Sequence, residues 1–439
     1  MYACGPTVYH YAHIGNLRTY VFEDLLKRIL IYNNFKVRHV INITDVGHLT
    51  SDSDTGEDKL EKEAKLENKS VWDIALFYSN AFKQDFKKLN LLDPSLWCKA
   101  TDNIKEQIEL VECLEKKDYT YKTSDGIYFD TSKFKSYGKL AKLKVSGLKA
   151  GARIDIGEKK HPTDFALWKF SPKDEKRQME WDSPFGAKGF PGWHIECSAM
   201  AMKFLGKQID IHCGGIDHIP VHHTNELAQS EGCLGKKWVN YWVHGDFLVI
   251  NKEKMAKSGA NFLTLEELEK NGYSPLDYRY FCLTAHYRTQ LSFSFEDLGS
   301  AKNAYEKLKS KIIELRKGEE SIPRSVEGYK KDFLKAINED LNTPRALAVV
   351  WDLVKDEAVP KKDRHGALME FDRILGLKLS DAKEEEVKIT GEVQELLRQR
   401  EEARKAKDFN KADELRDKIR EKGYSIEDSA EGLKLRPLK

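Results

Sequence analysis

Four residues far apart in the chain, Cys4, Cys197, His222 and Glu226, carry side chains that are all ordinary donors to zinc. His222 and Glu226 lie four apart in Pro220-Val-His-His-Thr-Asn-Glu-Leu-Ala-Gln-Ser230, a stretch that reads as a helix beginning near Pro220. That spacing puts both side chains on one helix face. Two cysteines can complete the set: Cys4, after the first short apolar run, and Cys197, in Gly192-Trp-His-Ile-Glu-Cys-Ser-Ala-Met200. A His-x-x-x-Glu pair alone usually marks a solvated face, so its weight comes from its neighbours.

Two further strings suit phosphate chemistry. His13-Ile-Gly-Asn16 falls between an apolar strand and a helix. Helix N-termini present unpaired N–H groups and a partial positive charge, Gly15 lets a flat ring or phosphate approach the backbone, and His13 can donate to a developing anion. Lys254-Met-Ala-Lys-Ser258 follows the strand Phe247 to Ile250, and two lysines three apart can close over a triphosphate. Either string alone is ordinary; one opening the first half of a parallel sheet and the other closing the second is far more specific.

The elements that must position these residues follow from hydrophobic pattern. A helix is expected from about Leu17 to Asn33, followed by the β-branched run Lys36 to Thr44, the βαβ rhythm of a parallel sheet with covering helices. Parallel-sheet texture returns with Gln208 to His212 and Trp242 to Ile250. Amphipathic helices are expected over Lys302 to Arg316 and Leu341 to Val354, and one highly charged helix from about Glu392 to Lys422. The predicted class is α/β: a Rossmann-like parallel sheet split by an insertion, then an α-helical bundle and a small C-terminal domain. The boundaries are 1–100 for the first half of the sheet domain, 101–191 for the insertion and 192–296 for the second half. The helical bundle is 297–376, the linker 377–391 and the C-terminal domain 392–439.

Bulk properties narrow the class. The 439 residues carry a formal charge of only +2, so a polyanionic partner must be held by local patches. No run of 18 apolar residues and no charged leader with an apolar block occurs, so no membrane partner is expected. Seven cysteines scattered through a long chain do not read as a disulfide framework, which fits a reducing cytoplasm. Cys98, Cys113, Cys233 and Cys282 are expected to be buried or incidental thiols. Thr50 to Gly56 has acidic residues and glycine out of register with a calcium loop. His212, His218, His223 and His244 fall near the proposed ligands. His223, turned about 100° from His222 on a helix, is expected to be a core residue or to support the site rather than ligate.

The two phosphate strings resemble the signatures of class I aminoacyl-tRNA synthetases, with Asn16 and Ala256 departing from the commonest forms. Met1-Tyr-Ala-Cys-Gly-Pro-Thr-Val-Tyr9, Asp164-Phe-Ala-Leu-Trp-Lys169, Gly192 to Met200 and His222-His-Thr-Asn-Glu226 narrow the resemblance to the cysteinyl-tRNA synthetases. Asp340-Leu-Asn-Thr-Pro-Arg-Ala346 looks like that family's helical domain, and Lys407 to Asp417 with Glu427, Asp428 and Gly432 is similar to its anticodon-recognition tail. The resemblance implies zinc on Cys4, Cys197, His222 and Glu226, and a cysteine pocket at Gly5, Thr44 and Trp193. It implies ATP at His13, Gly15, Asn16, Gly214, Gly215, Asp217 and Lys257, with Mg²⁺ on the triphosphate. His13, Asn16, Lys254 and Lys257 are the catalytic candidates. L-cysteine, ATP and tRNA(Cys) are the implied partners, and a monomer is implied. Cys213 stands where the family often has glycine, and Gly432 to Arg436 lacks the aromatic many relatives carry there.

The implied chemistry explains why a metal is useful. A cysteine carboxylate attacks the α-phosphate of ATP, and a terminal tRNA hydroxyl then takes the cysteinyl group; both steps ask the protein for positioning and charge stabilisation. Rejecting serine is harder, because shape alone gives about 10–200-fold discrimination. A zinc ion prefers soft thiolate to hydroxyl. Four protein ligands make a closed site, so Glu226 must lengthen its bond or the ion become five-coordinate to admit substrate. Two other readings compete: a cysteine ligase of mycothiol synthesis, which lacks a long tRNA-reading tail, and a non-catalytic RNA-binding paralogue, which would have lost signature residues. The family usually has another strand before Met1, so Cys4 is expected to suffer from end fraying, and an upstream segment is expected to raise thermal stability and zinc retention.

Overall fold

The computed structural model describes residues 1–47, 58–142, 158–172, 177–250, 253–254, 262–318, 325–383, 391–429 and 432–437. Lys257, His48 and the Thr50 to Gly56 stretch lie outside them, as does the side chain of Lys254. The chain divides into two compact units, Met1–Asp381 and Ala382–Lys439.

The first unit starts with β1 (Tyr2–Ala3), α1 (Ile14–Tyr32), β2 (Val40–Ile43), α2 (Lys59–Glu67), α3 (Val71–Lys88) and β3 (Leu96–Lys99). The insertion follows with α4 (Ile104–Lys116), β4 (Thr120–Lys122), β5 (Gly126–Phe129), β6 (Phe165–Phe170) and β7 (Gly189–Pro191). Then come α5 (Trp193–Leu205), β8 (Ile209–Gly215), α6 (His222–Leu234), β9 (Val239–Gly245), β10 (Leu248–Ile250), β11 (Glu253–Lys254), α7 (Leu265–Lys270), α8 (Pro275–Leu283) and β12 (Leu291–Phe293). The unit is completed by α9 (Phe295–Arg316), α10 (Glu327–Asn338), α11 (Thr343–Lys355) and α12 (Lys361–Leu375).

The central sheet is parallel in the order β3-β2-β1-β8-β9. β1 comes first in sequence yet lies in the middle, paired with β2 on one side and β8 on the other. Every residue of β2 is buried, as expected of a parallel strand covered on both faces. The insertion forms a separate antiparallel sheet, β4-β5-β6-β7. The run read as Trp242 to Ile250 divides: its first part is β9 of the central sheet, while β10 belongs to a three-stranded sheet with β11 and β12.

α1 begins a turn earlier than the expected Leu17. His13 caps it, its Nδ1 accepting from the Asn16 N–H at 3.0 Å while Asn16 Oδ1 accepts from the His13 N–H at 3.3 Å. Leu17, Val21, Leu25 and Ile29, each four apart, bury one stripe. Asp24 and Arg28 on the same helix are also buried and tie it to α8, where Arg279 is wholly enclosed.

Leu377 and Leu379, inside the stretch read as linker, are buried, and Asp372 accepts from both of their N–H groups. In the second unit the expected single helix is two, α13 (Gly391–Lys405) and α14 (Phe409–Glu421), followed by the hairpin β13 (Tyr424–Ser429) and β14 (Gly432–Pro437). The break has a local cause. Lys407 takes a left-handed φ of 60°, and Asp408 caps the new helix by accepting from the Lys411 N–H. Val393, Ile419 and Ile426 form its small core. Among the described residues no helix is long and apolar enough to cross a membrane.

Candidate functional site

Central position decides how Cys4 is held. Met1 donates its amino group to the Arg38 carbonyl, Tyr2 and Ala3 are fully buried, and the Cys4 N–H donates to the Cys213 carbonyl at 3.3 Å. A two-residue strand bonded on both sides thus seats the cysteine. Gly5 then has to be glycine, since a Cβ there would meet the Asn42 carbonyl oxygen at 1.5 Å. Its N–H donates to Asn42 Oδ1 at 2.7 Å, and Asn42 Nδ2 donates to Thr44 Oγ1 at 3.0 Å. Gly5 and Thr44 are thus joined through Asn42, which sequence reading did not single out.

Cys197 and Trp193 come from α5, whose approach to the insertion sheet also requires glycine. A Cβ on Gly192 would lie 2.0 Å from the Ala166 carbonyl oxygen, and the Gly192 N–H donates to the Leu167 carbonyl. The Asp164 to Lys169 motif is the strand that docks the start of α5. Helix α6 packs beside it: Gln229 donates to Ser198 Oγ at 2.7 Å and to the His194 carbonyl. This brings His222 and Glu226 to the cysteines, with the Trp193 and His222 rings 4.7 Å apart.

Ligand atoms of Cys4, Cys197, His222 and Glu226 all lie within 4.8 Å of one another, and all four residues are buried. Glu226 Oε1 is 3.1 Å from His222 Nε2 and 3.7 Å from Cys4 Sγ. Donors about 2.0–2.3 Å from a tetrahedral zinc ion are separated by roughly 3.3–3.8 Å, so the residues fit such an ion. The electrostatics agree. Burial works against charge on Glu226, but His212 and His222 hold its carboxyl well below the usual range. Burial likewise opposes charge on His222, yet Glu226 and Cys197 carry its pKa up to about 10. A hydrogen bond with Cys4 lowers the Cys197 thiol, while burial pushes Cys4 itself well up.

His223, expected to have a core or supporting role, is buried beside the same donors. Its Nε2 is 3.3 Å from Cys4 Sγ, and Cys4, His212, His223 and Glu226 form a second buried quartet within 4.8 Å. His223 turns away from His222, but the cysteine and the carboxylate lie between the two rings, so each ring reaches them from its own side.

The nucleotide candidates among the described residues follow β1 and β8, neighbouring strands of the central sheet. His13, Gly15 and Asn16 form the start of α1, and the Ile14 N–H donates to the Leu263 carbonyl at 2.8 Å. Gly214 and Gly215 end β8, where a Cβ on Gly214 would meet His218 Nδ1 at 2.5 Å and one on Gly215 would meet Asp217 Oδ1 at 2.3 Å. Both lie at the carboxyl end of a parallel strand, where open α/β sheets bind ligands.

Two of the cysteines read as incidental thiols are instead bonded to each other. Cys113 on α4 and Cys233 on α6 form a disulfide across 120 residues, with Cα atoms 5.6 Å apart; the other five are free and buried.

Residues 1–303 match the tRNA synthetases class I (C) catalytic domain, 332–358 a DALR domain, and 387–436 the cysteinyl-tRNA ligase anticodon binding domain. Cysteine--tRNA ligase 1 of Burkholderia lata is 51% identical over 436 residues, covering 99% of this chain and 92% of the relative. The cysteine--tRNA ligase of Treponema denticola is 46% identical over 460 residues, covering 98% and 93%. Among solved structures, Mycobacterium tuberculosis methionyl-tRNA synthetase in complex with methionyl-adenylate shares the fold, with a TM-score of 0.59 and 14% identity over 86% of this chain and 88% of that one. Sheet order, converging donors and a match running through the anticodon-binding region lead to one assignment: the chain belongs to the cysteinyl-tRNA synthetases, ATP-dependent ligases of class I.

Proposed function

We propose that this chain activates L-cysteine with ATP, releasing pyrophosphate, and transfers the cysteinyl group to tRNA(Cys), with zinc on Cys4, Cys197, His222 and Glu226. The convergence of those four donors from β1, α5 and α6 is the observation that carries the metal assignment. When bound there, zinc supplies a soft Lewis acid that favours a thiolate over a hydroxyl. Gly5, Thr44 and Trp193 border the donors and form the pocket that orients the amino acid. His13, Gly15 and Asn16 receive the phosphates at the positive end of α1, and Gly214, Gly215 and Asp217 meet the ribose. Lys254 and Lys257 neutralise the departing pyrophosphate, which leaves with Mg²⁺. The cytoplasmic monomer implied by the family is retained in this reading; family membership supports the placement, and the Cys113–Cys233 disulfide removes the support drawn from unpaired cysteines.

The matched anticodon-binding region favours this reading over a cysteine ligase acting on an amino sugar, and the intact signature residues favour it over a non-catalytic RNA binder. Cysteine-dependent ATP–pyrophosphate exchange followed by charging of tRNA(Cys) tests it. Exchange and charging together are expected. Exchange without charging would point to the amino-sugar ligase, and neither activity in metal-loaded protein would point to the binder.

A further inference from the structure

The second quartet, Cys4, His212, His223 and Glu226, shares two residues with the first but brings its own pair of imidazoles. The shared residues face both ways. Glu226 directs Oε1 to His222 at 3.1 Å and Oε2 to His212 at 2.9 Å. Cys4 Sγ lies within hydrogen-bonding reach of Cys197 on one side and 3.3 Å from His223 Nε2 on the other.

Ligating histidines are held through their other ring nitrogen, which fixes ring orientation. Both private histidines of the second set have such a hold. His223 Nδ1 is 2.7 Å from His244 Nε2, and His212 Nδ1 is 3.3 Å from the Cys213 carbonyl oxygen. That leaves Nε2 of each ring directed at the shared cysteine and carboxylate. In the first set His222 is held the same way, its Nδ1 2.9 Å from His194 Nδ1. All four donors of the second set are buried, and none belongs to a surface cluster.

We infer that Cys4, His212, His223 and Glu226 form a second binding position for a divalent transition metal ion, adjoining the first. The inference rests on the metal reading proposed above. Its imidazole-rich donor set suits zinc, cobalt or nickel. The position gives an ion a complete alternative set when the first opens a coordination site to an incoming thiolate.

Cobalt(II) provides the test, because its spectrum reports thiolate ligands independently of catalysis. Wild-type protein is expected to hold cobalt with a two-thiolate charge-transfer band, and no cobalt binding at all would defeat the metal reading itself. Cys197→Ser removes a ligand private to the first set with almost no change in shape. This variant is expected to retain one equivalent of cobalt with a single-thiolate band. Adding His212→Asn to it should lower cobalt affinity by more than about 100-fold, beyond the 10–100-fold typical of losing an outer partner. A folded Cys197→Ser protein that binds no cobalt, or a double variant that binds as tightly as the single, would overturn the second position alone. If Cys197→Ser fails to fold, His222→Asn with and without His212→Asn applies the same logic from the other private ligand.

Discussion

Replacing Asp24 by asparagine should cost the larger unit about 3–5 kcal/mol, the range for leaving a buried ion pair without one partner. Asp24 is almost wholly buried and accepts from Arg28 Nε at 2.7 Å, Arg279 at 2.6 Å and the Leu92 N–H at 2.8 Å. The guanidiniums spend their other donors on carbonyls of Leu89, Asn90, Arg373 and Leu375. An asparagine side chain would fill the same space and could still accept from Leu92. However, its amide N–H groups would face two guanidinium donors, and two buried cations would lose their hydrogen-bonded counter-charge and keep only that of Asp372. With an unfolding entropy of about 2.1 cal/mol/K per residue, a unit of 381 residues loses roughly 0.8 kcal/mol per degree, so the calorimetric midpoint should fall about 4–6 °C. Acid supplies an internal check. Burial alone would raise the Asp24 pKa, but Arg279 and Arg28 override it and hold the carboxyl below its ordinary value. Such a carboxylate contributes stability above its unfolded pKa near 3.9 and loses it as pH falls through the lowered folded value. The gap between wild type and Asp24→Asn should therefore be full at pH 7 and shrink below about pH 4. A midpoint change under about 1 °C at pH 7, or a gap that persists unchanged into acid, would refute the reasoning.

Gly5→Ala should lower both thermal stability and metal content, because its Cβ cannot coexist with the Asn42 carbonyl oxygen 1.5 Å away; elemental analysis beside a melting curve checks both. Reducing the Cys113–Cys233 bond should destabilise the protein by up to about 5 kcal/mol on loop-entropy grounds for its 120-residue span, read as a fall in urea midpoint with dithiothreitol that the Cys113→Ser variant no longer shows. Lys257→Ala should reduce ATP–pyrophosphate exchange by about 10²–10³-fold, as expected when a group stabilising transition-state charge is lost, with cysteine binding by calorimetry unchanged. Stripping the metal should bring cysteine-over-serine binding down toward the roughly 10–200-fold that shape alone supports, measured by competition at equilibrium.

What could be read from the residues, and what could not, divides by the range of the interaction. The pair His222 and Glu226 was legible because a helix turns spacing into direction, and α6 does run from His222 to Leu234. The stripe from Leu17 to Ile29 was legible for the same reason. The break between α13 and α14 was not, since Lys405, Ala406 and Lys407 suit a helix well and only the left-handed Lys407 with the Asp408 cap ends it. The disulfide was hidden because its partners meet only when α4 packs on α6, a contact between segments 120 residues apart.

His223 shows how far direction along a helix can be read. An angle of about 100° between neighbours on a helix establishes that His222 and His223 cannot approach one point along the same line. It says nothing about whether the point lies between the two lines. Cys4 and Glu226 lie there because β1 sits at the middle of the sheet, paired with both β2 and β8, so its C-terminal cysteine projects toward α6 rather than along an edge. The same register sets Tyr2 opposite His212, the strand residue that reaches the far oxygen of Glu226. A central strand two residues long thereby serves two donor sets at once. Local periodicity could identify each histidine's direction, but only the strand order determines that both directions meet Cys4 and Glu226.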